Sequence, residues 1–222
     1  VKTTSALLVG TLLFFSAHVV AFIDPNADKP YEDALASFYL SELNAAIIHL
    51  KNALKNDPKH LPSMVLLAEV YIAIGDGASA ENQLIKAQEN KADESKIIPL
   101  MLEAHLLQQK YQKVINANIS AITQKKHLNR IAILQGRAFI AINNLTQAKL
   151  LFEEALDYIP NSVQAQLGIA QVSLLKGDIL QARAYLDKAL TLSPKNGIAL
   201  TMLAKIEQQE GNRDESLKII SQ

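Results

Sequence analysis

The sequence predicts an all-α protein, a solenoid of stacked helix-turn-helix units, and three observations carry that expectation. Alanines recur every thirty-four residues at Ala53, Ala87, Ala121, Ala155 and Ala189, and a second series of small residues at the same spacing runs Ala46, Ala80, Val114, Ala148, Ala182 and Ser216. Self-similarity at a fixed period, with small side chains where two helices cross closely, is the signature of a repeat architecture. Composition agrees: 49% of residues are apolar but only 5% aromatic, which suffices when each repeat buries its apolar face against its neighbours and no large central core is needed. Glycine and proline fall at recurring places, Gly75, Gly177 and Gly211 between helices and Pro58, Pro160 and Pro194 after them.

Charge and cysteine content narrow the function. The 22 basic and 22 acidic residues balance to a net charge of zero, so no global field draws nucleic acid or an anionic membrane. Nucleic acid is therefore not expected as a partner. The chain has no cysteine, which excludes disulfides, thiolate metal sites and a cysteine nucleophile.

The first element, residues 1–21, reads as a secretory signal peptide. Lys2 precedes an apolar run from Ala6 to Phe22, a polar stretch from Asp24 to Pro30 follows, and Val19-Val20-Ala21 suits cleavage after Ala21. The alternative is an uncleaved N-terminal membrane anchor, since the run is at the lower edge of what spans a bilayer. Either reading puts the repeats outside the cytoplasm, and membrane contact is expected only through this segment if it is retained. Residues 22–26 then form a short tether.

The solenoid is expected over residues 27–222, in about five and a half to six repeats: 27–60, 61–94, 95–128, 129–162, 163–196 and an incomplete 197–222. The fifth shows the logic. Ala170 and Ala182 let its paired helices approach, Gly177-Asp178 makes the turn, and Pro194 closes the unit because proline cannot continue a helix. The third repeat departs, with Leu102 where a small residue is expected, Val114 for alanine and Asn118 where the next unit has Phe152. Locally wider helix packing is expected there. The sixth unit stops within its second helix, and Leu217, Ile219 and Ile220 read as the flank of a longer array, or else as a helix that caps its own end.

These landmarks resemble the tetratricopeptide repeat (TPR), in which the eighth, twentieth and twenty-seventh residues are small, the eleventh aromatic and the thirty-second proline. Residues 129–162, with Gly136, Phe139, Ala148, Phe152, Ala155 and Pro160, match that pattern best. The resemblance implies a right-handed superhelix whose first helices line a concave surface. On this chain that surface comprises Phe38, Tyr39, Val65, Glu69, Ile72, Glu103, Leu106, Leu107, Ile133, Arg137, Ile140, Leu167, Gln171, Leu174 and Lys205. Such a groove is mostly apolar with sparse charge, Glu69 and Glu103 toward one end and Arg137 and Lys205 toward the other, and suits an amphipathic helix or extended peptide. The competing reading is that several of these residues pack between helices, because groove and core positions alternate within one turn. Family members that grip a C-terminal carboxylate show a Lys and Asn set, and Val65 and Glu69 stand here instead.

A narrower resemblance covers roughly residues 31–115. Tyr31 through Asp57-Pro58, Leu67-Ala68-Glu69-Val70-Tyr71, Gly75 through Glu81, Pro99 and Lys110 through Ile115 are similar to the TPR protein of the exosortase, or PEP-CTERM, system. That likeness implies a secreted protein of Gram-negative bacteria linked to protein sorting and exopolysaccharide production. Members are often lipoproteins, an attachment that the missing cysteine puts in doubt.

Chemistry has no evident seat. None of His18, His49, His60, His105 and His127 forms the i, i+4 pair flanking a glutamate that a zinc helix needs. His105 takes the inward slot filled by Tyr71 and Phe139 in neighbouring repeats and reads as a core or groove histidine. Gly75-Asp76-Gly77 is too short for a phosphate loop. Lys91 to Lys96 and Lys125-Lys126-His127 read as solvated connections between repeats. No catalytic residue, metal ligand or cofactor is expected. The functional expectation is a non-enzymatic scaffold in the periplasm or cell envelope that binds a protein or peptide in a PEP-CTERM-linked sorting or exopolysaccharide system. Two alternatives are a pilus or secretion-system assembly factor and the docking region of a longer enzyme.

Overall fold

In the computed structural model, which describes residues 25–220, twelve helices follow one another pair by pair. The first helices of the pairs are α1 (Pro25–Tyr39), α3 (Leu61–Ala73), α5 (Glu94–Leu107), α7 (Lys125–Ala141), α9 (Val163–Leu175) and α11 (Gly197–Gln209). The second helices are α2 (Leu43–Asn56), α4 (Gly77–Glu89), α6 (Tyr111–Ile115), α8 (Leu145–Tyr158), α10 (Ile179–Leu192) and α12 (Arg213–Ile220). No strand occurs among the described residues. The signal segment and its cleavage site after Ala21 lie outside them.

Each turn within a pair is closed in the same way. Ser41, Gly75, Gln109, Asn143, Gly177 and Gly211 all have positive φ, between 57° and 87°. The next residue then donates its amide to the carbonyl five positions back, as Asp76 does to Tyr71 at 2.8 Å and Asp178 to Ser173 at 2.9 Å, satisfying an orphan carbonyl of the finished helix. Glycine adopts this left-handed geometry without a Cβ clash, and Ser41, Gln109 and Asn143 adopt it at a cost. Asp76, Asn144 and Asp178 follow at once as N-caps, accepting the amides of Ser79, Gln147 and Gln181, which starts the second helix.

The small-residue series lies where helices cross. Ala46, Ala53, Ala80, Ala87, Ala148, Ala155, Ala182 and Ala189 are fully buried. Phe152 is the largest enclosed side chain, held between α7 and α9 by two glycines. A Cβ on Gly136 would stand 2.9 Å from its ring, and one on Gly168 only 2.4 Å.

Polar groups tie successive pairs together at equivalent positions. The Glu81 carboxylate on α4 accepts hydrogen bonds from Lys110 at 2.6 Å, Gln108 at 2.8 Å, His105 at 3.1 Å and Lys113 at 3.3 Å. Burial pushes its pKa up, but the four donors outweigh burial and hold it down at about 2. Burial lowers the His105 imidazole despite the opposing pull of Glu81, so the ring is neutral at pH 7. Its Nε2 then carries the proton shared with Glu81, while Nδ1 is buried without a partner. On α10, Arg183 bonds Glu207 and Glu210: the same junction with the charges exchanged.

The third pair is where sequence and structure part. The thirty-four-residue register places Ala121 in a second helix, but α6 ends at Ile115, and Ala121 is exposed in a turn. Ile122, 5% exposed, and the loop residues Ala117 and Ile119 fill the space instead. Two local causes act. The N-cap position holds Lys110, which offers no acceptor and sets positive charge against the helix dipole. Asn118 accepts the Ser120 amide at 3.1 Å, a local turn that competes with helix. The departure in the third pair takes the form of a truncated helix, with a hollow of about 530 Å³ beside Ile98, Met101 and His105.

Candidate functional site

The first helices form the inner layer, α1 against α3, α3 against α5, α5 against α7 and α7 against α9. Between α3, α5 and α7 they leave a cleft of about 600 Å³. Its apolar lining is Val65 from α3, Leu100 from α5, Ile133 and Leu134 from α7, and Ile159 just after α8. Two further hollows extend it. One of about 530 Å³ toward α1 shares Val65, Glu69 and Lys96, and one of about 320 Å³ shares Glu103 and Arg137 and adds Ile72, Leu106 and Leu107.

Eight of the residues assigned to the groove from sequence therefore lie along one furrow: Val65, Glu69, Ile72, Glu103, Leu106, Leu107, Ile133 and Arg137. The other seven lie elsewhere. Leu167 is 7% exposed and Leu174 packs into the same core cluster, Ile140 packs beside Phe152, and Phe38 packs with the α1–α3 core. Each of these apolar side chains is taken up in packing between helices. Tyr39 and Gln171 are exposed, and Lys205 borders a separate hollow with Lys195 at the start of α11.

The charges are arranged differently from the sequence expectation. Glu69, Glu103 and Arg137 share one cleft rather than opposite ends of the groove. Arg130 bridges α7 to α5 through its Nε, 2.8 Å from Glu103 Oε1. Burial lifts the Glu69 carboxyl above its usual range; Arg130 opposes that rise and Glu103 adds to it. Arg137 is exposed and has no hydrogen bond or ion pair among the described residues.

Sequence reasoning missed Lys96, Arg130, Lys126 and His127, all of which line the cleft. A signal for two of them was present. Lys96 and Arg130 hold the second position of successive repeats, and Arg130 precedes Arg137 by two helical turns on one face. Lys125-Lys126-His127 form the first turn of α7 rather than a connection; both lysines are exposed, as expected, and His127 is half-buried at the edge of the cleft. Among the described residues no three His, Asp or Glu side chains are placed to hold a metal ion. None of the described helices is long and apolar enough to cross a membrane.

Paired helices at a constant period, stacked so that their first members leave a furrow along one side, define a helical-repeat protein of the kind that binds other proteins. More narrowly, the chain belongs to the tetratricopeptide repeat family: one model of that repeat matches residues 40–102 and 173–222, and another matches residues 133–197. Cellulose synthase operon protein C of Pseudomonas fluorescens is 33% identical over 84 residues, 38% of this chain and 7% of that protein. Protein O-mannosyl-transferase TMTC1 of Homo sapiens is 23% identical over 69% of this chain and 18% of its own length. The chain thus spans less than a fifth of these relatives. Among solved structures, Pseudomonas aeruginosa pilF superposes with a TM-score of 0.66 at 19% identity, over 88% of this chain and 89% of its own. PilW, a type IV pilus biogenesis factor, gives 0.65 at 18% identity, over 87% and 90%. At these identities the structural likeness is one of fold.

Proposed function

We propose that this protein is a non-enzymatic scaffold of the bacterial cell envelope that holds a segment of a partner polypeptide in the furrow between α3, α5 and α7. The continuity of that furrow carries the reading. Its three hollows share lining residues end to end, and its apolar floor with charged rims provides anchoring from one and orientation from the other. The predicted signal segment and the likeness to a bacterial cellulose synthase operon protein support an envelope setting and a place in exopolysaccharide assembly, with the PEP-CTERM resemblance as the narrower form of that idea. The same furrow would serve a pilus assembly factor, a reading favoured by the match to pilF over nearly the full length of both chains.

Capture from an envelope fraction tests the proposal. Wild-type protein is expected to retain a partner that Arg137→Glu releases, while helical content and melting temperature stay unchanged, because a solvated charge contributes little to folding. The partner's identity separates the two settings: a polysaccharide synthesis or sorting component in one, a pilus subunit or outer-membrane component in the other. Equal capture by both proteins would remove the furrow from the account.

A further inference from the structure

The irregular third pair does more than interrupt the array. Helices α3, α9 and α11 begin at Leu61, Val163 and Gly197, the first position of their repeats, whereas α7 begins at Lys125, four residues ahead of Asn129. That extra turn carries Lys125, Lys126 and His127, and two of them reach the cleft. Folding stability gives no reason for this placement. Basic residues in the first turn of a helix oppose its dipole, and the N-cap, Gln124, forms no side-chain cap.

The result is a local charge imbalance in a chain that is neutral overall. Lys96, Lys126, Arg130 and Arg137 set four fixed cations around the cleft against two carboxylates. Glu103 is already engaged by Arg130 and Asp93, beside the cleft, draws on Lys96 and His127, which leaves Lys126 and Arg137 exposed at the rim with no hydrogen bond or ion pair among the described residues. Apolar side chains floor the same space, which suits a polypeptide better than a polysaccharide or nucleic acid backbone.

We propose that this basic lip takes an acidic, apolar-flanked stretch of the partner, an inference that rests on the furrow being the binding face. Lys126 and Arg137 are eleven residues apart on α7, about 16 Å along its axis at the α-helical rise. An extended chain covers that distance in about five residues. The recognised segment therefore carries carboxylates about five positions apart, with apolar side chains between them for Val65 and Ile133, half-buried apolar residues of the cleft.

Selection of a random dodecapeptide display library on the mature protein tests this. Pools enriched in Asp and Glu at about that spacing are expected, with binding weakened about tenfold or more by Lys126→Glu and by Arg137→Glu and by raised salt. Both variants should melt no lower than wild type. Enriched peptides without acidic bias that still protect α5 and α7 from hydrogen exchange would overturn the charge inference and leave the furrow reading standing. Peptides that protect neither helix, or no enrichment, would overturn both. Binding of polygalacturonate with no peptide enriched would overturn the inference in favour of an anionic polysaccharide.

Discussion

Replacing Gly168 with alanine sets two well-understood effects against each other. Gly168 lies inside α9, where alanine is favoured by about 1 kcal/mol through helix propensity alone. Packing says the opposite. The new Cβ would stand 2.4 Å from both Cδ1 and Cε1 of Phe152 and 2.7 Å from Cγ, about 1 Å inside ordinary carbon contact. The ring has little room to retreat, because the side chain is fully enclosed and the α7 backbone lies so close that a Cβ on Gly136 would stand 2.9 Å from the ring. Overpacking of this kind costs about 1–3 kcal/mol, with the upper part of that range fitting a clash this short. After the propensity gain the net loss is about 1–2 kcal/mol. For a chain of this size that lowers the melting temperature by roughly 2–8 °C, read by circular dichroism and checked by urea titration. Phe152→Leu in the same chain should remove most of the added cost of Gly168→Ala, giving a large coupling in a double-mutant cycle. A Gly168→Ala variant as stable as wild type or more so, or no coupling to Phe152→Leu, would refute the packing argument.

Gln109→Gly should raise stability by about 0.5–1 kcal/mol, because Gln109 is exposed with φ at 57° and glycine relieves that strain at some cost in unfolded-state entropy; urea midpoints measure it. Acid titration tests the Glu81 junction. A carboxylate whose folded pKa is depressed stabilises the fold above its unfolded value and loses that contribution as pH falls toward the folded one, here from about 4.5 down to about 2. Glu81→Gln should therefore flatten the loss of stability in that window and lower stability at neutral pH, while unchanged urea midpoints at both ends would contradict the network. N-terminal sequencing of the exported protein should begin at Phe22, and a mature chain that retains Lys2 would contradict cleavage after Ala21.

Helix pairing and the turns were legible in sequence because each depends on a few residues with a single mechanical role. Ala148, Ala155 and Ala182 mark crossings wherever they occur in register, and Gly75, Gly177 and Gly211 supply turns that the backbone geometry demands. Ala121 shows the limit. It keeps the period yet lies in a turn, because Lys110 and Asn118 act on the helix before it, and register alone does not weigh a poor cap against a competing turn. The furrow was half legible for a related reason. Ile133 and Leu167 hold equivalent positions in successive repeats, but one lines the cleft and the other is enclosed in the core; which of these occurs depends on how the next repeat stacks. Lys126 and His127 were not assigned to the groove because a run of charge between repeats is usually solvated, as Lys126 is, and only the early start of α7 sets them at the rim of the cleft.

The central claim is that the concave furrow between α3, α5 and α7 is where a partner polypeptide binds. Photo-crosslinking tests it most directly, with a benzophenone amino acid placed at Ile133 in the cleft or at Leu150, exposed on α8 outside it, in protein expressed in its own cells. Crosslinking of one partner species from position 133, lost when Arg137→Glu is added and absent from position 150, is the predicted result. Crosslinking from position 150 with none from 133 would place the interaction on the other face and contradict the account.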